Sequence, residues 1–282
     1  MNSKLKSFLI LTRPLNVLLC MLSIFMGAFL AGALSPLHKV LLACVSGGLI
    51  MAGGNVINDF YDVEIDRINK PFRPLPSGRI DRRAARKFST NLFALGIFLS
   101  IFVQIWSFFV AGLTAFGLIV YSARLKRTAL LGNLAIGFFS ALAFIYGALA
   151  VGQIVDSWIA AGFAFFFHLG REIIKDLEDR DADARAGAQT LPIRFGERLA
   201  LATMTVVFVI LIAFTLLPYI FDIYGKGYLW TVVFGVDLVV VLLLAAVWNK
   251  PKPGRLRKVS AILKADMFVG LIALYLGQAD LF

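Results

Sequence analysis

Residues Asn55 to Gly78 read NVINDFYDVEIDRINKPFRPLPSG, a charged segment that follows a long apolar run in this chain of 282 residues. If the segment continues the helix before it, Asn58, Asp62 and Asp66 are spaced four residues apart and share one face, with Asp59 beside Asp62. We call these four residues the first acidic row. One amide and three carboxylates on one surface repel one another unless a cation lies among them. Oxygen ligands of this kind suit Mg²⁺ better than a soft metal, so the pattern indicates a divalent-cation site.

A second charged segment, REIIKDLEDRDADARAGAQTLP, begins at Arg171. Its acids Glu172, Asp176, Asp179 and Asp183 recur at intervals of four, three and four, which again places them on one helical stripe. We call them the second acidic row, and we expect Gly187 and Pro192 to end its helix. Taken alone, each segment could be a solvated helix end beside a membrane. Two matched stripes with basic residues around each of them favour a site.

The composition predicts a membrane protein. The chain is 60% hydrophobic and 16% charged, with a mean hydropathy of +0.84, whereas an ordinary soluble domain has about 25% charged residues. A spanning helix needs roughly 20 apolar residues, and spans exposed to lipid must be helical because every backbone group needs an internal partner. We therefore predict an all-α, polytopic bundle of nine transmembrane helices around a central cavity, forming one domain over residues 1–282. The predicted spans are 15–35, 40–60, 88–105, 107–123, 130–151, 157–174, 198–218, 228–248 and 260–280.

The basic residues predict the orientation of this bundle. With nine spans, the N-terminal tail and the loops after spans two, four, six and eight share one side of the membrane. These segments hold 26 of the 28 Lys and Arg residues, and only Lys39 and Lys226 lie on the other side. Because positively charged loops remain in the cytoplasm, both acidic rows are predicted at the cytoplasmic face of a cell membrane and the C-terminus outside.

The net charge of +11 does not indicate a nucleic-acid partner. The basic residues lie beside the predicted spans, and no groove-reading module is present. Anionic headgroups of membrane lipids attract such residues by about 1 kcal/mol each. Membrane lipids are therefore the partners that explain part of this charge.

The remaining basic residues suggest what the acidic rows bind. Mg²⁺ keeps several waters and is usually bound by one or two carboxylates together with phosphate oxygens. Carboxylates that hold a metal, next to bases that hold an anion on an apolar wall, describe a site for a lipid-tailed diphosphate. The candidate anion-binding residues follow the first row, flank the second, or end the fourth span: Lys70, Arg73 and Arg79; Arg171 and Lys175; Tyr121, Arg124, Lys126 and Arg127.

Four motifs carry a resemblance to a known family. NDFYDVEID followed by RINKPFRPLPSG resembles the first aspartate-rich motif, NDxxDxxxD, of the UbiA superfamily of intramembrane prenyltransferases. DRDAD is similar to the second motif, DxxxD, with Asp179 and Asp183 in its two acidic places. YSARLKR resembles the Tyr-x-x-x-x-Lys-Arg segment after the fourth helix, and TRPLN resembles the entry to the first helix. The similarity extends over all nine predicted spans.

Within the superfamily, the sequence from Arg171 resembles the branch that makes archaeal-type ether lipids. That branch transfers a geranylgeranyl group from its diphosphate to the hydroxyl of geranylgeranylglyceryl phosphate. A 4-hydroxybenzoate acceptor is disfavoured because the Tyr-Asp-Thr-x-Tyr-Ala-Met run of that branch is missing. Arg171 and Lys175 suit an acceptor that carries a phosphate. An aromatic, quinone or tetrapyrrole acceptor remains the alternative. A transporter is a remote alternative. Transporters place ionisable residues near the midplane of the membrane, whereas nearly all the charge of this chain is predicted at one membrane face.

The resemblance also implies roles for individual residues. Two Mg²⁺ ions would bridge the rows across an apolar cavity, and either Asp59 or Asp176 would take the proton of the acceptor. The implied metal ligands are Asn58, Asp62, Asp66, Asp179 and Asp183. The implied diphosphate or phosphate ligands are Lys70, Arg73, Tyr121, Lys126, Arg171 and Lys175. The implied catalytic acids are Asp59, Asp62, Asp66, Asp176, Asp179 and Asp183.

Asp237 is predicted to be the one acid in the middle of a span. An ionisable group at that depth normally faces the interior of the bundle. We interpret it as a structural, hydrogen-bonded carboxyl and do not include it in the site.

Overall fold

A computed structural model describes residues 3–32, 34–155, 157–249 and 251–279 of the chain. Within these ranges the chain is helical and contains no strand; one isolated bridge joins Thr128 and Gln189. The all-α class predicted from the hydropathy is therefore confirmed. The described residues form two compact units, which are treated separately below.

The first unit comprises residues 1–126 and 142–155. Its helix α3 packs against α2, α5 and α6, so it lies at the centre of the unit. Small residues on α3 allow the approach, and serines join the helices: Ser46 Oγ donates to Gly96 O at 2.7 Å, and Ser89 Oγ donates to Gly53 O at 2.8 Å. The helices are α1 (Ser3–Thr12), α2 (Pro14–Leu30), α3 (Leu37–Tyr61), α4 (Val63–Asn69), α5 (Arg82–Ile101) and α6 (Ile105–Ala123), together with the C-terminal part of α7 (Leu131–Val151).

The second unit comprises residues 127–141 and 156–282. Its helix α8 packs against both α10 and α13. Phe214 of α10 forms edge-to-face pairs with Phe163 and Phe166 of α8. Its helices are the N-terminal part of α7, α8 (Ser157–Arg185), α9 (Leu191–Phe195), α10 (Glu197–Ile220), α11 (Lys226–Thr231), α12 (Leu238–Asn249) and α13 (Pro253–Ala279), with a π-helical segment, Val232–Asp237, between α11 and α12.

Each of the nine predicted spans overlaps a helix, but the first extends beyond the end of α2 at Leu30 and the third beyond the end of α5 at Ile101. Positions 33 and 280 of the predicted spans lie outside the described residues. By length and composition, six helical stretches of the described chain can cross a membrane, or seven if α1 and α2, bent by 45°, count as one. The predicted spans in α5 and α8 are not among these seven stretches. Charged and polar residues occupy one end of each of these two helices. A multi-pass membrane protein is thus established, while nine crossings stay a prediction.

Candidate active site

The chain bends at the first acidic row. The sequence pattern predicts one continuous helix, but α3 ends at Tyr61 and α4 begins at Val63, with Asp62 between them at φ −87° and ψ 0°. Helical hydrogen bonds nevertheless continue across the break, from Asp62 N to Asn58 O at 3.0 Å and from Asp66 N to Asp62 O at 2.8 Å. The spacing of the row therefore survives the bend.

The three carboxylates of this row are buried. Asp59, Asp62 and Asp66 are 4%, 6% and 4% exposed. Removing a carboxylate from water costs far more than a protein can tolerate unless the charge is paired and hydrogen-bonded. The row therefore requires positive charge beside it.

Three basic side chains supply that charge. Asp59 pairs with Arg13 and, at 3.2 Å, with Arg73 Nη1. The same nitrogen of Arg73 lies 2.7 Å from Asp66 Oδ2. Lys126 donates to Asp62 Oδ2, which also accepts a hydrogen bond from Asn58 Nδ2 at 2.9 Å. The structure thus places the predicted Arg73 and Lys126 directly against the row.

Arg13 is a site residue that the sequence analysis did not assign. It lies between α1 and α2, at φ 51°. A signal for it existed, because Arg13 belongs to the TRPLN segment that resembles the family's first-helix entry. Spacing alone could not reveal that its guanidinium reaches Asp59, 46 residues further along the chain.

The charges of Arg73 and Asp66 influence each other. Burial raises the pKa of the Asp66 carboxyl, and the neighbouring Arg73 offsets only part of that rise. Burial alone would lower the pKa of Arg73, but Asp59 and Asp66 outweigh it and raise that pKa above its ordinary value. Arg73 therefore remains a cation beside this row.

Three other predicted anion ligands of the first unit lie near the ends of α4 and α6 or in the loop after α4. Lys70 caps α4, where its backbone N–H donates to Asp66 O at 2.8 Å. Tyr121 is buried near the end of α6. Arg79 donates to Phe72 O and to Ser77 Oγ, so it supports the loop after α4.

The second acidic row lies on α8, as its spacing predicts. Glu172 is buried and accepts hydrogen bonds from Lys175 Nζ at 2.8 Å; Arg171 Nη1 lies 3.6 Å from it. Arg171 also donates to Ser260 O on α13 at 3.2 Å. The two basic residues predicted to hold phosphate are thus both paired with Glu172.

The rest of this row is only half-buried. Asp176 accepts a hydrogen bond from Asn133 Nδ2 of α7 at 2.8 Å, while Asp179 and Asp183 follow on the same helix. The helix ends at Arg185, and Gly187 has a left-handed φ of 72°, as expected from its position after the row. Asn133 was not found from the sequence, because an isolated asparagine in an apolar run carries no motif.

The side-chain oxygens of both rows are suitable ligands for a hard cation. They are carboxylate and amide oxygens, which Mg²⁺ prefers. Arg13, Arg73 and Lys126 hold the three carboxylates of the first row. Across the described ranges, no three His, Cys, Asp or Glu side chains are arranged around a common metal position.

An all-helical membrane fold that carries these two acidic rows defines an intramembrane prenyltransferase. The chain belongs to the UbiA prenyltransferase family, whose family model matches residues 20–272. It is 38% identical to the digeranylgeranylglyceryl phosphate synthase of Methanopyrus kandleri over 271 residues, which cover 95% of this chain and 98% of that protein. The family and branch predicted from the motifs are confirmed.

Solved structures show the same fold. One, described as digeranylgeranylglyceryl phosphate synthase in membranes, superposes with a TM-score of 0.78 at 34% identity and covers 98% of both chains. A UbiA homologue from Archaeoglobus fulgidus, bound to GPP and Mg²⁺, superposes with a TM-score of 0.72. It is 23% identical over 93% of this chain and 98% of its own length, so it supports the fold alone.

The structure corrects one statement about buried acids. Asp237 is buried and within 3.1 Å of Thr215 Oγ1, as a structural carboxyl should be. It is not the one acid in the middle of a span, however, because Asp266 of α13 is also buried. Asp266 lies inside the predicted span 260–280.

Proposed function

We propose that this chain transfers a geranylgeranyl group from geranylgeranyl diphosphate to the hydroxyl of geranylgeranylglyceryl phosphate. The products are an ether lipid precursor and diphosphate. The observation that carries this proposal is the buried first row, whose carboxylates Asp59, Asp62 and Asp66 are matched by Arg13, Arg73 and Lys126. The relatives that bear this activity in their names resemble the chain over nearly its whole length.

Side-chain oxygens of both rows would hold Mg²⁺. We assign as ligands Asn58, Asp62, Asp66, Asp179 and Asp183. Bound there, the ion would supply positive charge that stabilises the departing diphosphate. Oxygen ligands are the ones that Mg²⁺ prefers, which supports this choice of ion.

The basic residues beside the first row bind the diphosphate. Arg73 and Lys126 have carboxylates as partners in this structure. A carboxylate that coordinates a cation has less need of a basic partner, so these side chains can turn to phosphate oxygens. Preorganised positive groups stabilise the charge that develops as the C–O bond breaks. Lys70 and Tyr121 complete the proposed set in this unit.

The acceptor hydroxyl then attacks C1 of the allylic group and must lose its proton. Asp59 is engaged by the guanidinium groups of Arg13 and Arg73. Asp176 is held by the neutral amide of Asn133 instead. We therefore assign proton acceptance to Asp176 and a structural and electrostatic role to Asp59.

Arg171 and Lys175 bind the phosphate of the acceptor. Both side chains pair with Glu172, so one carboxylate orients two bases on one side of α8. An acceptor without a phosphate would have no use for this pair. We further propose that the site faces the cytoplasm, because the basic segments that flank both rows belong on that side.

The test uses the purified chain in lipid vesicles with geranylgeranyl diphosphate and Mg²⁺. The acceptors are geranylgeranylglyceryl phosphate, aromatic acids and quinone precursors, and products are identified by mass spectrometry. We expect the ether product from the phosphate-bearing acceptor, loss of product with EDTA, and recovery when Mg²⁺ is added in excess. Prenylation of an aromatic acceptor in place of geranylgeranylglyceryl phosphate would refute the acceptor assignment. Turnover that persists in EDTA would refute the metal assignment.

A further inference from the structure

Asn133 is one of the buried polar residues of the second unit that have an unpaired side-chain atom. It lies in the first turn of α7 and is 4% exposed. Its Nδ2 donates to Asp176 Oδ2 at 2.8 Å. Its Oδ1 is buried and has no hydrogen-bond partner among the described residues.

A buried acceptor without a partner destabilises a fold, and each such atom in a native structure calls for an explanation. Leucine has nearly the same shape as asparagine and would leave no polar atom unpaired at this position. Packing therefore does not explain the residue. Natural sequences break such rules mainly where function requires it.

The contact with Asp176 offers that explanation. Nearby on α8, Lys175 and Arg171 both pair with Glu172, whereas the Asp176 carboxylate accepts its hydrogen bond from a neutral amide. A neutral donor fixes the direction of a carboxylate without neutralising it. A basic partner in the same place would make the carboxylate less ready to accept a proton.

We propose that Asn133 is a positioning residue for prenyl transfer, a role that rests on the function proposed above. Its amide N–H holds Asp176 Oδ2 and leaves Oδ1 to receive the proton of the acceptor hydroxyl. In that step the ether bond forms between the acceptor oxygen and C1. The bond from C1 to the diphosphate breaks, its electron pair leaves with the diphosphate, and the hydroxyl proton moves to Asp176 Oδ1.

Steady-state and single-turnover rates of Asn133→Leu and Asn133→Ala in vesicles test the role. Replacing a residue that orients a metal ligand typically lowers metal affinity or activity about 10- to 100-fold. We expect kcat to fall by a similar factor here. KM for geranylgeranyl diphosphate should stay within about twofold, because the first row is untouched. Ser107→Ala is the matched control: it also removes a buried polar atom without a partner, but in α6. It should leave kcat unchanged.

Two further measurements separate positioning from a merely structural role. The thermal midpoint of Asn133→Leu in detergent should match that of the wild type within a few degrees. In single-turnover reactions, the double variant Asn133→Ala/Asp176→Ala should react at the same rate as Asp176→Ala alone. If Asn133 acts only through Asp176, it has no effect once Asp176 is removed.

Three outcomes would overturn the proposal. The first is a wild-type kcat in both Asn133 variants. The second is a fall in rate that is explained by a matching fall in the amount of folded protein. The third is that Asn133→Ala lowers the rate by the same factor in the wild type and in the Asp176→Ala variant. A wild-type enzyme that refuses geranylgeranylglyceryl phosphate would refute the proposed function instead. If it prenylates another hydroxyl acceptor, the same comparison with that acceptor still decides the role of Asn133.

Discussion

Arg73 donates through Nη1 to Asp66 Oδ2 at 2.7 Å, and the two residues form an ion pair in which the Asp66 side chain is 6% exposed. The same nitrogen lies 3.2 Å from Asp59. One guanidinium therefore compensates two buried carboxylates. Arg73 therefore stabilises this part of the chain, in addition to the anion binding proposed for it.

Replacing Arg73 with Gln should therefore affect both properties. Leaving buried carboxylates unpaired typically costs 3–5 kcal/mol, and since the Arg73 side chain is 29% exposed we expect about 1–3 kcal/mol here. KM for the diphosphate donor should also rise. Thermal unfolding in detergent and donor titrations measure the two effects.

Arg67→Gln is the matched control for this variant. Arg67 pairs with Glu64, and both side chains are largely exposed, so the pair should contribute less than about 1 kcal/mol. An Arg73→Gln protein as stable as the Arg67→Gln protein would show that the ion pairs of Arg73 do not support the fold.

Asp62→Ala should abolish transfer while the protein still inserts and folds. Asp62 is a proposed metal ligand and the partner of Lys126. We expect kcat to fall by at least about 100-fold, in line with the loss of one group that stabilises developing charge. Glu64→Ala is the control, because Glu64 lies two residues away but its side chain is 64% exposed. Near-normal turnover of Asp62→Ala would remove Asp62 from the metal site.

Asp183→Ala makes the corresponding test of the second row. Loss of this proposed ligand should lower kcat by a similar factor of about 100. Asp181→Ala, which changes an exposed acid of the same helix, should not. Raising the Mg²⁺ concentration should restore part of the activity of Asp183→Ala if the defect is in metal binding. Full activity at low Mg²⁺ would contradict the assignment.

Much of the site can be predicted from the sequence, but the contacts between residues that are distant in the chain cannot. Spacing places both acidic rows on helices, because i, i+3 and i+4 periodicity is a local property. The bend at Asp62 escaped prediction, since neither Gly nor Pro marks it. Arg13 and Asn133 also escaped, because their partners lie 46 and 43 residues away and nothing local records such a contact.

Gly27→Ala should destabilise the first unit. A Cβ at Gly27 would clash with the backbone of Phe144 in α7, and one at Gly147 would clash with the backbone of Ile24. Backbone atoms cannot give way as a flexible side chain can, so we expect a loss of about 1–3 kcal/mol, as for other overpacked sites. Gly112→Ala is the control, because no atom beyond its own stretch of helix lies within 4 Å of its Cβ position. Equal thermal midpoints for the two variants would contradict the close approach of α2 and α7.

Asp237→Asn should leave transfer nearly unchanged. Thr215 Oγ1 lies 3.1 Å from both carboxyl oxygens of Asp237 and 2.7 Å from Ile212 O. Since a hydroxyl has one proton, it cannot serve all three acceptors at once. An asparagine can donate its own N–H to the hydroxyl and keep the contact, so we expect a wild-type kcat and a thermal midpoint that is equal or higher. Asp237→Leu can neither donate nor accept a hydrogen bond, so it loses the contact with Thr215 and should unfold at a lower temperature. If Asp237→Asn folds as well as the wild type but loses its catalytic rate, Asp237 takes part in the reaction and the structural assignment is wrong.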